Sequence, residues 1–308
     1  MPNNNKIIVI KLGALGDFFS SCETFSRIRS HHPHAHITLM TTSPFEGIAK
    51  QSPYFDDIWV IERFKSLELF GWLGIFKKLK REKFDFIYDL QRNDRAKIIG
   101  FAASLLAKTQ VLSGQKKGRL DRLQDFKVPE GMLDTRDMSS FLTQDLSWLN
   151  GKTYSEFGID QKYVLLVPGS APQHPGKRWP ATSYAKLADL LLHEGYQPVL
   201  IGTKADSDVT SLIKNAVPSA IDLTGTTKIE DLASLSRTAT AAIGNDTGPM
   251  HIAAASGCPI VSLFSYISDP DQSAPRATSI EILRSQNIAD ISIENVFACF
   301  EKIKRENP

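Results

Sequence analysis

Short apolar runs alternate with stretches of helical period along most of the chain. Lys6–Lys11 reads as a strand, followed by a glycine turn and a helix to about Ser30. Ile37–Thr41 and Phe84–Leu90 read as further strands, and between residues 108 and 160 the pattern fades into polar sequence. It restarts at Tyr163–Val167, where a loop opening Pro168-Gly169-Ser170 leads to a helix that starts near Thr182 and stops at Gly195, a good residue just past a helix end. Gln197–Ile201, Ala239–Ile243 and Pro259–Phe264 read as strands, and Thr227-Lys228-Ile229-Glu230 as a capping box opening another helix. Alternation of this kind predicts an α/β protein with mostly parallel sheets. The restart predicts two similar nucleotide-fold domains, 1–157 and 158–308. No short repeat is present, so the chain is not a solenoid.

Composition narrows the class. The 308 residues are 42% hydrophobic and 23% charged, as in a soluble globular protein. A net charge of +2 argues against wholesale nucleic-acid binding. Cys22, Cys258 and Cys299 are odd in number and scattered, which argues against a disulfide framework or a zinc site and fits a reducing compartment. With no signal peptide visible and no apolar run of membrane-spanning length, a cytoplasmic protein is expected. Leu69–Phe76 followed by Lys77, Lys78, Lys80, Arg81 and Lys83 is amphipathic and basic. Two readings apply to residues 67–83: a core-facing helix with a solvated basic end, or peripheral contact with an anionic membrane. The glycines favour the first.

Three segments carry candidate chemistry. In Gly244-Asn245-Asp246-Thr247-Gly248-Pro249-Met250-His251, a polar turn lies between an apolar strand and an apolar helix. Thr247 suits the cap and Pro249 the first turn, and free N–H groups at such an end seat phosphate. A capped helix with no ligand is the plainer reading. The first turn, Leu12-Gly13-Ala14-Leu15-Gly16-Asp17, has two glycines where the dinucleotide fingerprint needs three, and Thr41-Thr42-Ser43 stands where that fold expects an acid. A nicotinamide-dependent dehydrogenase is therefore disfavoured. Asp17, at the end of a strand, either takes a proton from a hydroxyl or caps a helix. The third segment, Pro168 to Pro180, is not a Walker loop, because Arg178 stands where Ser or Thr should follow Lys177. Its two cations suit a diphosphate leaving group, and its prolines and Trp179 suit a fixed loop. Asp206-Ser207-Asp208, Asp269-Pro270-Asp271 and the histidines His31, His32, His34 and His36 are weak metal signals, and no metal site is expected.

Together these segments resemble glycosyltransferase family 9, the ADP-heptose:lipopolysaccharide heptosyltransferases. The likeness is carried by Ile8–Asp17, by Pro168-Gly169-Ser170 through Lys177-Arg178-Trp179-Pro180, and by Leu223-Thr224-Gly225 through Asn245–His251 to Leu263-Phe264. A weaker block is Tyr88–Arg95, and the blocks run in family order across nearly the whole chain. The resemblance implies a GT-B fold, two Rossmann-like domains facing across a cleft, with the acceptor in the first and the nucleotide sugar in the second. The last helix, near Ile293–Lys304, is expected to return to the first domain as in other GT-B proteins. Two departures stand out. Ser265 occupies a position where the family often has glycine, and Asp206 only approximates the family's ribose-binding acid.

The implied activity is inverting, metal-independent transfer of heptose from ADP-heptose to a lipopolysaccharide inner-core acceptor. No cofactor is implied beyond the ADP-sugar donor. Asp17 matches the general base and Lys177 the phosphate-contacting cation. Gly169, Ser170, Lys177, Arg178, Asp206, Asp246, Thr247, Gly248 and His251 fall on the donor side. Gly16, Arg92, Arg95, Lys116 and Arg119 fall on the acceptor side, where basic groups meet acceptor phosphates. The expected partners are a nucleotide sugar and a lipid-linked saccharide, with no nucleic acid, at the inner face of the inner membrane. The same fold with another sugar, and a silent sugar-nucleotide-binding protein, are the alternatives.

Overall fold

A computed structural model describes residues 5–62, 69–91, 93–113, 128–135, 146–171 and 173–306. The chain divides into two compact units, Met1–Phe141 and Leu142–Pro308. The second therefore begins earlier than the expected boundary at 157/158. The reason is local bonding: the Gly151 N–H donates to Ser234 Oγ at 3.2 Å, and the Lys152 N–H to Asp231 Oδ1 at 2.8 Å. Arg237 also donates to the carbonyls of Leu146 and Leu149.

The first unit runs β1 (Lys6–Ile10), α1 (Leu15–Phe19), α2 (Cys22–His31), β2 (His36–Thr41), α3 (Ser43–Gln51), β3 (Asp57–Val60), α4 (Leu69–Glu82), β4 (Phe86–Asp89), α5 (Asp94–Ala107) and β5 (Gln110–Ser113). The strands are parallel, in the order β3-β2-β1-β4-β5. One face packs Ile8, Ile10, Met40 and Ile87 against Trp72, Ile75 and Leu79 of α4 and Ala96, Ile99 and Ala103 of α5. Elsewhere in the core Phe18 stacks on Phe45, with ring centroids 4.9 Å apart, and Phe25 meets Phe18 edge-on. Within 67–83, of which 67 and 68 lie outside the described residues, α4 buries an i, i+3, i+7 stripe in the core and leaves Lys77, Lys80 and Arg81 on its outer face. The predicted first helix is broken in two at Ser20-Ser21.

The second unit runs β6 (Tyr163–Val167), α6 (Ala181–His193), β7 (Gln197–Leu200), α7 (Ser207–Ala216), β8 (Ile221–Asp222), α8 (Ile229–Thr238), β9 (Ala241–Asn245), α9 (Gly248–Ala255), β10 (Ile260–Ser265), α10 (Pro270–Ser273), β11 (Ile280–Ser285) and α11 (Ile293–Glu306). Its sheet is also parallel, in the order β11-β10-β9-β6-β7-β8. α6 ends as its sequence indicates. Gly195 has φ +82°, its N–H reaches the Leu192 carbonyl, and the next N–H reaches Leu191. α8 is capped one residue later than expected, because the Asp231 carboxylate, not Glu230, accepts the N–H of Lys228 at 2.9 Å. α11 belongs to the second unit, where Val296, Phe300 and Ile303 are fully buried in its core. Its apolar stripe is used up there, which corrects the expected return to the first domain.

Candidate active site

Each sheet has one point where the strand order reverses. In the second unit the chain leaves β6 towards β7 and β8, then starts again at β9 and proceeds the other way. Ligands of open parallel sheets bind outside the carboxyl ends of the strands at such a point. The loop after β6, from Pro168 to Pro180, and the turn after β9, Asp246-Thr247, flank this one.

Asn245 clasps the two together. It is fully buried. Its amide nitrogen donates to the carbonyls of Pro168 and Gly169 at 2.8 and 3.3 Å. Its Oδ1 accepts from the Trp179 N–H at 3.1 Å and faces the Tyr184 hydroxyl at the same distance. One side chain therefore ties the start of the loop to its end, and every polar atom it buries is partnered. Trp179 completes the anchor, donating its ring N–H to the Ile291 carbonyl at 2.9 Å. Gly244, just before, has no room for a side chain, since a Cβ there would lie 2.6 Å from Val167.

The clasp brings the predicted donor-side residues together. Lys177 ends a 3-10 turn, Pro175–Lys177, and its Nζ donates to Asp246 Oδ2 at 2.7 Å. Asp246 is nearly buried, with 7% of its side chain exposed against 19% for Lys177. An ammonium has three donors, so the bond to Asp246 leaves others for a phosphate oxygen. Thr247 is the cap residue of α9 in extended conformation, yet its hydroxyl makes no capping hydrogen bond, a correction to the expected cap. The N–H groups of Thr247 and Gly248 meet no acceptor among the described residues. Pro249 lies in the first turn as expected, and His251 follows, half-buried, within the same helix. The start of α9 thus presents open donors and the positive end of a helix dipole beside a cation.

Arg178, Ser170 and Asp206 brace the loop. Arg178 donates from Nε to Ser170 Oγ at 3.1 Å and from Nη2 to the Ser170 carbonyl at 2.9 Å. Asp206 Oδ1 lies 3.8 Å from Arg178. Its Oδ2 accepts from both the N–H and the hydroxyl of Thr203 at 2.9 Å. Asp206 sits against Gly169, where an added Cβ would come within 2.4 Å of the carboxylate. Ile267, exposed after β10, lies over Gly176 of the same loop.

In the first unit the order reverses between β1 and β4. A pocket of about 400 Å³ opens there, lined by Leu12, Gly13, Ala14, Thr42, Gln91, Asn93 and Arg95. Gln91 Oε1 accepts the Leu12 N–H at 2.7 Å, Thr42 donates to the Leu12 carbonyl, and buried Lys11 donates to the Leu90 carbonyl at 3.2 Å. Gly13 has φ +132°, a conformation that favours glycine. Asp17 lies in the first turn of α1, exposed, with its carboxylate 3.4 Å from the Ala14 N–H at the pocket's edge. Gly16 precedes it in the same helix, and Arg95 stands in the first turn of α5. Arg92, Lys116 and Arg119 lie outside the described residues.

Sequence reasoning passed over Asn245, Thr42, Gln91 and Asn93 as site residues. Asn245 had a signal, an amide closing an apolar strand. Gln91 and Asn93 lay in the weaker block at 88–95 and Thr42 after the second strand, but only the strand order brings them to one pocket. The two Asp-rich triplets bind their own backbone: Asp269 accepts from the Asp271 N–H, and Asp206 is engaged as above. Among the described residues no three His, Cys, Asp or Glu side chains gather as a metal would require.

Of the four histidines, His31, His32 and His34 line a larger hollow, about 880 Å³, at the amino ends of the first sheet's strands, and His36 opens β2. This is the wrong end for a ligand of an open parallel sheet. His32 lies 2.7 Å from the Tyr88 hydroxyl, which accepts the Leu133 N–H at 2.7 Å. Burial, with the nearby charges of His31 and Arg29, lowers the pKa of His32 to about 4, and burial pushes the Tyr88 phenol up to about 12. The neutral imidazole and the protonated phenol form a structural link.

Known proteins share this sequence pattern and this fold. A family model described as glycosyltransferase family 9 (heptosyltransferase) matches residues 124–300. Lipooligosaccharide heptosyltransferase 2 of Haemophilus influenzae is 36% identical, over 90% of this chain and 88% of its own. A glycosyltransferase family 9 structure from Veillonella parvula superposes with a TM-score of 0.79 at 22% identity, covering 99% of both chains. The ADP-heptose lipopolysaccharide heptosyltransferase II of E. coli gives 0.74 at 22% identity, over 98% of this chain and 99% of that one. At such identity the structural likeness speaks to fold, which is GT-B.

Proposed function

This chain belongs to glycosyltransferase family 9, the heptosyltransferases, and is a glycosyltransferase; from that premise we propose that it moves heptose from ADP-heptose to the inner core of a lipopolysaccharide, inverting the anomeric carbon without a metal. The observation that carries this reading is the second unit's reversal point, where Lys177, Asp246 and the open N–H groups of Thr247 and Gly248 converge on one turn.

The donor's diphosphate sits against that turn. Lys177 and the amino end of α9 take up negative charge as ADP departs, which is where preorganised donors act most strongly. Asp246 holds the Lys177 ammonium in place. We assign Arg178, Ser170 and Asp206 to fixing the loop, because they bond to one another, to the His174 carbonyl and to Thr203. The acceptor sugar occupies the pocket between the β1 and β4 turns, where Arg95 meets its acidic groups. Asp17, exposed at the edge of that pocket, removes the hydroxyl proton as the oxygen attacks the anomeric carbon opposite the leaving diphosphate. Asp17 gains a proton, the glycosidic C–O bond forms, and the bond to ADP breaks.

The test is transfer of labelled heptose from ADP-heptose to a core acceptor lacking that sugar. The wild type should transfer, and Asp17→Asn should lose about a hundredfold or more in turnover while ADP raises the melting temperature of both alike. Near-full activity of Asp17→Asn would remove the base assignment. Stabilisation by another nucleotide sugar, and not by ADP-heptose, would change the donor.

A further inference from the structure

α5 has an outer face that no part of a soluble core requires. Ile98, Phe101, Leu105 and Leu106 are exposed, Phe101 and Leu105 each to 73%. The spacing 98, 101, 105 puts three of them on one stripe of the helix. Single exposed apolar residues are ordinary, but a continuous apolar stripe on one helix marks an interaction surface.

The neighbouring helix extends it. α4 and α5 bury their other faces in the same layer of core, so both present their outer faces on the same side of the sheet. On α4 that outer stripe carries Leu73, 56% exposed, and then Lys77, Lys80 and Arg81. Exposed Lys97 on α5 and exposed Lys108, the residue that caps its end, bracket the apolar stripe, roughly 16 Å apart along the axis. Against these cations the two outer faces carry exposed Asp94 and half-buried Glu82. The pairs Lys97–Asp94, at 3.9 Å, and Arg81–Glu82 are solvent-exposed and weak. An apolar strip edged by cations is the pattern that lies in the boundary layer of an anionic bilayer, with rings and branched chains in the acyl region and ammonium groups at the phosphates.

We infer that the outer faces of α5 and α4 form the surface on which this protein rests on an anionic lipid layer, with Phe101 and Leu105 as its inserted side chains. The inference adds to the reading above, because a lipid-carried acceptor has to be met at a membrane, but its evidence is the helix face itself. The geometry also suits that reading. The first turn of α5 supplies Asn93 and Arg95, its cap and second residue, to the acceptor pocket, and Phe101 follows Arg95 by about 9 Å along the axis. One helix would thus join the lipid surface to the sugar.

The experiment is co-sedimentation of the full chain with vesicles of phosphatidylglycerol and phosphatidylethanolamine, against vesicles of phosphatidylcholine alone. Binding to the anionic vesicles should exceed binding to the neutral ones and weaken with added salt. Phe101→Ser/Leu105→Ser should lower the partition coefficient about tenfold or more. Lys97→Gln/Lys108→Gln should erase most of the preference for anionic lipid. Both side-chain pairs are exposed, so circular dichroism and turnover with a delipidated acceptor should match the wild type. Equal vesicle binding by wild type and Phe101→Ser/Leu105→Ser would overturn the inference. So would a wild-type dimer that ignores vesicles and falls apart in that variant, which would make the face a contact between copies. Neither result touches transfer to the delipidated acceptor, so this proposal and the catalytic one fail separately.

Discussion

The two reversal points are built from the same βα logic and finished in opposite ways. At the second, buried polar groups lock one another: Asn245 clasps both ends of a loop, and Lys177 is already paired with Asp246. At the first, the turn is glycine-rich, the pocket is open, and Asp17 stands exposed with a single long contact to Ala14. The contrast suits the two tasks proposed for these points. A diphosphate presents many oxygens to dipoles that must already be in place, since reorganising them during reaction would forfeit their value. A proton acceptor needs access and one unengaged oxygen more than it needs rigidity.

The contrast can be broken at its strongest point first. Lys177→Ala should lower kcat by about 10²–10³-fold, because a preorganised cation is lost where charge develops. Adding Asp246→Asn to that variant should recover thermal stability, by neutralising a buried carboxylate left alone, and should leave the rate low. If Lys177→Ala keeps its kcat, the rigid seat is not where charge is stabilised. Next comes the clasp. Asn245→Leu strands the carbonyl of Pro168 and the N–H of Trp179 in the core. It should cost roughly 2–4 kcal/mol in urea unfolding and raise the donor KM. No comparable loss is expected from Gln91→Leu in the first unit, whose turn is more open.

The smallest effect lies far from both points. In the folded protein His32 binds its proton only near pH 4, whereas the unfolded chain binds it near 6.5. The unfolded state therefore takes up the proton first. This group's contribution to stability is complete above about pH 6.5 and is lost as pH falls towards 4, worth roughly 1–2 kcal/mol after solvent screening. His32→Gln, which keeps an acceptor for Tyr88, should flatten that part of the pH–stability curve. Urea midpoints measured across this range check it, and an unchanged slope would place the acid sensitivity elsewhere.

Much of the architecture was readable from local pattern. The strand at 163–167, the strand expected at 239–243 and found at 241–245, the stop at Gly195 and the strand-to-helix turn at Asp246-Thr247 follow from runs, caps and turns that neighbouring residues set among themselves. The short strands β3, β5, β8 and β11 were passed over. In β11 the exposed and half-buried positions mix charge with branched residues, and β8 is two residues long, so neither leaves a clear period. The Thr227 box failed because Asp231, one residue beyond Glu230, accepts the N–H of Lys228 and so moves the cap from Thr227 to Lys228.

What the sequence determined by itself was a set of segments and their chemistry: two α/β units, a basic loop, a polar turn and an acid after the first strand. What the tertiary structure alone decided was which segments share a site. Strand order puts the loop at 168–180 beside the turn at 246–248, some 70 residues away, because β6 and β9 are neighbours in the sheet while β7 and β8 lie on the far side of β6. It also consumed the stripe of α11 within the second core and left the stripe of α5 outside the first. Period tells a helix that it has an apolar face, but only packing determines whether another surface is there to cover it.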